Sequence, residues 1–318
     1  MAIRQSRHRS NPAHSPTREA LAPKARKRVT LRTLLDLHAR GVPIAMLTAY
    51  DAAFARLADG AGADCILVAD SLGMLAQGHG TTLLVTLEQM VYHTGCVARG
   101  TGSACIVADL PLTGFPLDLA QALRGGAALL QAGAQMVKLA GGAATKETVH
   151  ALATRGIPVC AHLGLTAGSV YELGDRRMPA MDDASTQAQA MRAVELAQAG
   201  AAMVLLESTP PMLATTLRRE RPELVTIGVD SGAGTSGQMV ATHDVLGMGR
   251  RDVAAFDFMD RAGTVDGALR AFVDAVKAHQ FPQPCEPTAL PLPLPLGEGW
   301  GEGRGLHRLA TSPAAPSP

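Results

Sequence analysis

Seven short apolar runs in this 318-residue chain close on residues that can do chemistry: Tyr50-Asp51, Asp70-Ser71, Asp109, Lys138, His162, Glu207 and Asp230. Two of the aspartates sit in matching contexts, Val68-Ala69-Asp70 and Val107-Ala108-Asp109. Carboxylates converging from neighbouring strands offer hard oxygen ligands, and Mg2+ often keeps one or two protein carboxylates, the rest being water and substrate. A single Asp in such a place is equally a helix N-cap, so it is the repetition that points the pair to a cation. Lys138 reads as an anchor for a substrate carboxylate or as a lysine snorkelling to the surface. Glu207, after Met203-Val204-Leu205-Leu206, stands at a largely apolar mouth, where lost solvation lifts a carboxyl pKa towards the range of general acid-base work. His162 and His79 are weaker candidates, because a histidine at a strand end is as often a hydrogen-bonded structural residue.

Positioning these residues takes strands whose ends converge. Val, Ile, Leu and Met recur in runs at Ile44 to Thr48, Cys65 to Ala69, Cys105 to Ala108, Met136 to Leu139, Ile157 to Ala161, Met203 to Leu206 and Val225 to Val229. A fainter run at Val253 to Phe256 makes an eighth. Continuous apolar runs mark parallel strands covered on both faces. Between them lie Ala-rich segments of helical length, Leu119 to Ala132 and Ala184 to Ala199 among them. Several stop at the same punctuation, Ala61-Gly62-Ala63, Ala132-Gly133-Ala134 and Ala199-Gly200-Ala201, where a left-handed glycine ends a helix before the next strand. About 250 residues in this order predict one (β/α)8 TIM barrel, in which chemistry sits at the C-terminal ends of the strands.

Composition narrows the function. No apolar run reaches the roughly 18 residues of a membrane span. With 3% aromatic residues and a net charge of +1, the chain shows neither a stacking platform nor a basic face for nucleic acid. That charge is a cancellation: the first 32 residues hold nine Arg or Lys and one acid, leaving −7 on the other 286. Residues 1–29 read as a basic, disordered extension, 30–281 as the barrel and 282–318 as a low-complexity tail with nine of the 20 prolines. Five cysteines without CxxC spacing, Cys65, Cys96, Cys105, Cys160 and Cys285, read as thiols of a reducing cytoplasm.

Taken together, Thr48-Ala49-Tyr50-Asp51, Asp70-Ser71-Leu72-Gly73-Met74, Gln77-Gly78-His79, Tyr92-His93, Ala108-Asp109-Leu110-Pro111, Val137-Lys138, His162-Leu163-Gly164-Leu165-Thr166, Leu206-Glu207 and Gly237-Gln238 with His243-Asp244 resemble ketopantoate hydroxymethyltransferases, in the same order and at similar spacing. The likeness runs from about Thr30 to Gly247. It implies a barrel of the phosphoenolpyruvate mutase/isocitrate lyase type and a bound Mg2+. It further implies transfer of a one-carbon unit from 5,10-methylenetetrahydrofolate to 3-methyl-2-oxobutanoate, through a metal-stabilised enolate, to give 2-dehydropantoate for pantothenate biosynthesis. By the same resemblance Asp70 and Asp109 match metal ligands, Asp70, Ser71, Asp109 and Lys138 match substrate-contacting positions, and Glu207 matches the catalytic glutamate. A cytoplasmic homo-oligomer built from pentameric rings, a decamer, is implied as well, with the 2-oxo acid and folate as its partners.

The chain departs from the family pattern around the site. Where the family reads Val-Lys-Ile-Glu-Gly-Gly, this chain has Val137-Lys138-Leu139-Ala140-Gly141-Gly142, so a methyl group stands where a third acidic metal ligand belongs. Gly80 and Leu84 replace an Asp and a Pro, the Gly-Gly-Tyr-Lys-Val-Gln-Gly loop is not recognisable within Glu172 to Met181, and Ile227-Gly228-Val229-Asp230-Ser231-Gly232 replaces a glycine-rich strand end. Three readings stay open: a hydroxymethyltransferase, another 2-oxo-acid aldolase or lyase on the same barrel, and a non-catalytic paralogue.

Overall fold

The computed structural model describes residues 26–111, 119–141, 143–166, 182–248 and 258–282. Eight parallel strands close a barrel in sequence order: β1 (Ile44–Thr48), β2 (Cys65–Val68), β3 (Cys105–Asp109), β4 (Met136–Ala140), β5 (Val159–Gly164), β6 (Met203–Glu207), β7 (Val225–Val229) and β8 (Gly237–Val240). Helices of nine or more residues follow or precede them: α1 (Leu31–Ala39), α2 (Ala52–Ala61), α3 (Leu87–Gly100), α4 (Leu119–Gln131), α5 (Lys146–Thr154), α6 (Asp183–Gln198), α7 (Pro211–Glu220) and α8 (Val265–Lys277). Every residue of β1, β2 and β3 is buried, which is why these strands read as unbroken apolar runs.

The expected barrel is therefore present, with two corrections to its strands. The run at Val253 to Phe256 lies outside the described residues, and the closing strand is Gly237–Val240, paired to β1 through Ile44↔Gly237 and to β7 through Ile227↔Gly237. Four residues that include Gly237 and Gln238 carry no apolar run, and residues 230–236 join β7 to β8 without a helix, so the usual strand-helix rhythm is missing there. The second correction is in β5. Pairing runs from Val159 to Gly164, with the Pro158 carbonyl accepting from the Val137 N–H, which puts His162 inside the strand instead of after it.

The helix stops behave as the sequence predicts: Gly62, Gly133 and Gly200 have φ of 96°, 116° and 115°. Helix starts are capped by side chains, Thr30 and Thr86 in capping boxes and Asp51, Asp182 and Thr264 by direct acceptance of backbone N–H groups. At the N-terminal end of the barrel Arg26 donates to the Ala63 carbonyl and pairs with Asp64 at 3.6 Å, while Val29 is buried. Cys65, Cys105 and Cys160 are buried and, with Cys96, free; Cys285 lies outside the described residues. No helix among the described residues is long and apolar enough to cross a membrane.

Candidate active site

A line of polar groups crosses the C-terminal mouth over five consecutive strands. It starts at the end of β2, where the Asp70 backbone N–H donates to Oδ2 of Asp109 at 2.9 Å. The same oxygen lies 3.2 Å from Nζ of Lys138 on β4. Nζ is in turn 3.0 Å from Nδ1 of His162 on β5, and Nε2 of that ring is 3.1 Å from Oε2 of Glu207 on β6. This last contact has ion-pair distance without hydrogen-bond alignment.

Register explains the convergence. Asp109 faces Lys138 across β3 and β4, Ala140 faces His162 across β4 and β5, and Gly164 faces Glu207 across β5 and β6. Side chains two apart along a strand share a face, so Lys138 and Ala140 point one way and His162 stands between them and Glu207. Gly164 lets β5 and β6 come together: at φ 102° a Cβ there would run into the Glu207 carbonyl and lie 2.8 Å from Thr209 Cγ2.

Asp109 is 2% exposed, Lys138 6% and His162 4%, so desolvation sets their protonation, moderated by each other. Burial pushes the Asp109 carboxyl up to about 7, against the pull of Lys138. For Lys138 burial acts downwards, but the carboxylates of Asp109, Asp70 and Glu207 outweigh it and hold the ammonium above its ordinary pKa. The His162 imidazole is pushed below its ordinary value, first by burial and then by the Lys138 charge.

Tyr50 enters the site from β1, its hydroxyl 2.9 Å from Oγ of Ser71. Burial pushes its phenol up to about 12, which keeps it a neutral hydrogen-bonding group. His93 donates from Nδ1 to the Tyr50 carbonyl at 2.7 Å, and His243 stacks on the Tyr50 ring. Asp51, the neighbouring acid at the rim, is turned away: its Oδ1 caps α2, accepting from the N–H groups of Ala53 and Phe54. Asp230 is exposed, with φ 49°, and Ser231 next to it is a structural hydroxyl, donating to the Leu206 and Val229 carbonyls and accepting from the Thr209 N–H. The loop Glu172 to Met181 lies outside the described residues.

Asp70, Ser71, Asp109, Lys138 and Glu207 are thus brought to one mouth, together with His162 and Tyr50, whose parts the chain order alone leaves obscure. His162 stands two residues after Cys160, which pairs with Lys138, and so shares the lysine's side of the sheet. Whether a cation suits this place can be judged from Asp109, whose Oδ1 is buried without a hydrogen-bond partner. An orphaned buried acceptor of this kind calls for a water or an ion. With the Asp70 carboxylate beside it, the donor set is hard oxygen and fits Mg2+. No group of three or more His, Cys, Asp or Glu residues able to hold a metal occurs among the described residues, and Ala140 ends β4 with a methyl group.

A closed parallel barrel with its polar groups at the strand C-termini defines the class: a (β/α)8 barrel. The fold is shared with the crystal structure of 2,3-dimethylmalate lyase, itself a PEP mutase/isocitrate lyase superfamily member, at a TM-score of 0.52 and 18% identity over 74% of this chain and 90% of that one. The family profile described as Ketopantoate hydroxymethyltransferase matches residues 28–284. The 3-methyl-2-oxobutanoate hydroxymethyltransferase 2 of Methylibium petroleiphilum is 50% identical over 275 residues, 86% of this chain and 96% of that protein. The 3-methyl-2-oxobutanoate hydroxymethyltransferase of Leptothrix cholodnii is 50% identical over 267 residues, 81% and 92% of the two chains. The chain belongs to the ketopantoate hydroxymethyltransferase family, a family of one-carbon transferases.

Proposed function

We propose that this enzyme transfers a hydroxymethyl group from 5,10-methylenetetrahydrofolate to 3-methyl-2-oxobutanoate, giving 2-dehydropantoate. The observation that supports the reading is the continuous line Asp109, Lys138, His162 and Glu207, in which a carboxylate that could hold a cation, an ammonium and a second carboxylate share one mouth. Asp70 and Asp109 would hold Mg2+, which when bound supplies a Lewis acid for the negative charge that develops on the keto oxygen. Lys138, held ammonium by its carboxylate neighbours, neutralises the substrate carboxylate and orients it. Ser71, tied to Tyr50, offers a hydrogen bond to the same acid group. Glu207, one third exposed, takes the C3 proton; the electron pair left on the substrate attacks the folate-borne methylene carbon as one of its C–N bonds opens onto nitrogen, and water then replaces the second nitrogen, giving the hydroxymethyl group and free tetrahydrofolate. A cytoplasmic homo-oligomer without nucleic-acid or membrane partners belongs to the same reading.

The test is folate-dependent formation of 2-dehydropantoate by purified protein at saturating Mg2+. No turnover sinks the proposal. Ala140 sharpens it: Ala140→Glu is expected to tighten Mg2+ binding and raise activity at low Mg2+. An inactive parent that Ala140→Glu revives instead points to a decayed hydroxymethyltransferase, whereas cleavage of hydroxylated 2-oxo acids without folate points to lyase chemistry.

A further inference from the structure

We propose that His162 is a positioning residue, a neutral imidazole locked with its proton on Nε2, that joins the anchoring lysine to the glutamate and aims the glutamate at the substrate. The inference deepens the proposed hydroxymethyl transfer and rests on it for its kinetic arm only. Its basis is a donor and acceptor count. The Lys138 ammonium has three donors and no acceptor, and its Nζ lies 3.0 Å from Nδ1 of His162. Nδ1 therefore accepts, and the ring's one proton sits on Nε2, which faces Oε2 of Glu207 at 3.1 Å. An imidazolium would place an N–H against an ammonium, with no acceptor between them, in a site 4% exposed. The charged groups that act on the ring include Lys138 from β4, Glu207 from β6 and Asp70 from the end of β2, and Asp109 of β3 lies behind Lys138.

The geometry makes the link directional. Asp109 fixes Lys138, Lys138 fixes the tautomer of His162, and the fixed Nε2–H presents a donor to a carboxylate whose side chain is 33% exposed and can turn to meet it. Donation to one oxygen stabilises Glu207 as carboxylate and orients it towards the substrate. During proton abstraction the C3–H bond breaks, its electron pair stays on the substrate and its proton goes to Glu207; His162 itself transfers no proton.

The experiment has two readouts. In long-range 1H–15N spectra of 15N-histidine-labelled protein without metal or substrate, one of the ten histidines, identified by its disappearance in His162→Gln, should show a protonated Nε2 and an unprotonated Nδ1 that do not titrate between about pH 6 and 8. A ring protonated on Nδ1, or a cationic ring, overturns the proposal whether or not the enzyme transfers hydroxymethyl groups. Kinetics then separate the two ring nitrogens. Gln places an amide N–H near Nε2, whereas Asn places its amide near Nδ1 and cannot reach Glu207. His162→Asn should lower kcat about tenfold or more, the worth of a hydrogen bond to a charged group, with KM nearly unchanged, and His162→Gln should recover most of kcat. Equal loss in the two folded variants overturns the positioning role. A wild type that turns over nothing, with the tautomer as stated, removes the transfer reading and leaves the locked imidazole standing.

Discussion

Replacing Lys138 with Met in protein stripped of metal removes one charge of a buried pair and leaves the other. Oδ2 of Asp109 would keep only the Asp70 N–H, its Oδ1 has no hydrogen-bond partner, and Nδ1 of His162 would lose its donor. Breaking a buried pair from one side costs about 3–5 kcal/mol, set against a total stability of about 5–15 kcal/mol. The cost has a pH signature. The Asp109 carboxyl of the folded protein titrates near 7, well above its ordinary 3.8, because of burial. A raised folded pKa means stability that is whole below the unfolded value and is lost as pH rises through the folded one, by up to about 1.4 kcal/mol per pH unit. In the parent this loss levels off near neutrality. Without Lys138 the downward pull on Asp109 is gone, its pKa rises further, and the loss continues, so from about pH 7 to about pH 8 the variant should lose about 1 kcal/mol more than the parent. Urea unfolding followed by far-ultraviolet circular dichroism in EDTA reads both numbers. Adding Asp109→Asn to Lys138→Met removes the stranded charge and should restore stability and abolish the extra pH dependence. A Lys138→Met protein as stable as its parent at pH 8, or a double variant no better than the single one, refutes the electrostatic account of the site.

Two further predictions address the frame around it. Gly164→Ala combines a left-handed φ of 102° with a Cβ driven against the Glu207 carbonyl and Thr209. It should cost about 3–5 kcal/mol from strain and overpacking, whereas Gly156→Ala, at φ 78° with nothing within 4 Å, should cost only about 1–2 kcal/mol; equal denaturation midpoints contradict the tight β5–β6 approach. Asp59, on α2, accepts from the N–H groups of Gly102, Ser103 and Ala104 and from the Ser103 hydroxyl. Burial acts to raise its pKa, but these bonds hold it below the ordinary 3.8, so its contribution is present above that value and lost as pH falls. Asp59→Asn should flatten the acid limb of the stability curve, measured as unfolding midpoints from neutral pH down to about pH 3.

Much of the barrel is legible in the chain because burial on both faces writes a parallel strand as an apolar run, and because a glycine past a helix end has one conformational reason to be there. β8 escapes this logic: Gly237 and Gln238 earn their place by pairing with β1 and β7, a long-range property with no local periodicity. The same division runs through the site. Asp70, Asp109 and Glu207 stand at the ends of apolar runs, where strand direction alone sends them to the mouth, and Lys138 lies one residue short of such an end. That Tyr50 reaches Ser71, and that His162 stands between Lys138 and Glu207, depends on how adjacent strands are staggered, whereas Asp51 caps α2 through contacts two and three residues away. Local sequence specifies which residues lie at the strand ends, because burial has a period that can be read along one chain. Which of them meet, with what distances and protonation, is decided by register across the barrel and by the desolvation that packing imposes on Asp109, Lys138 and His162 together.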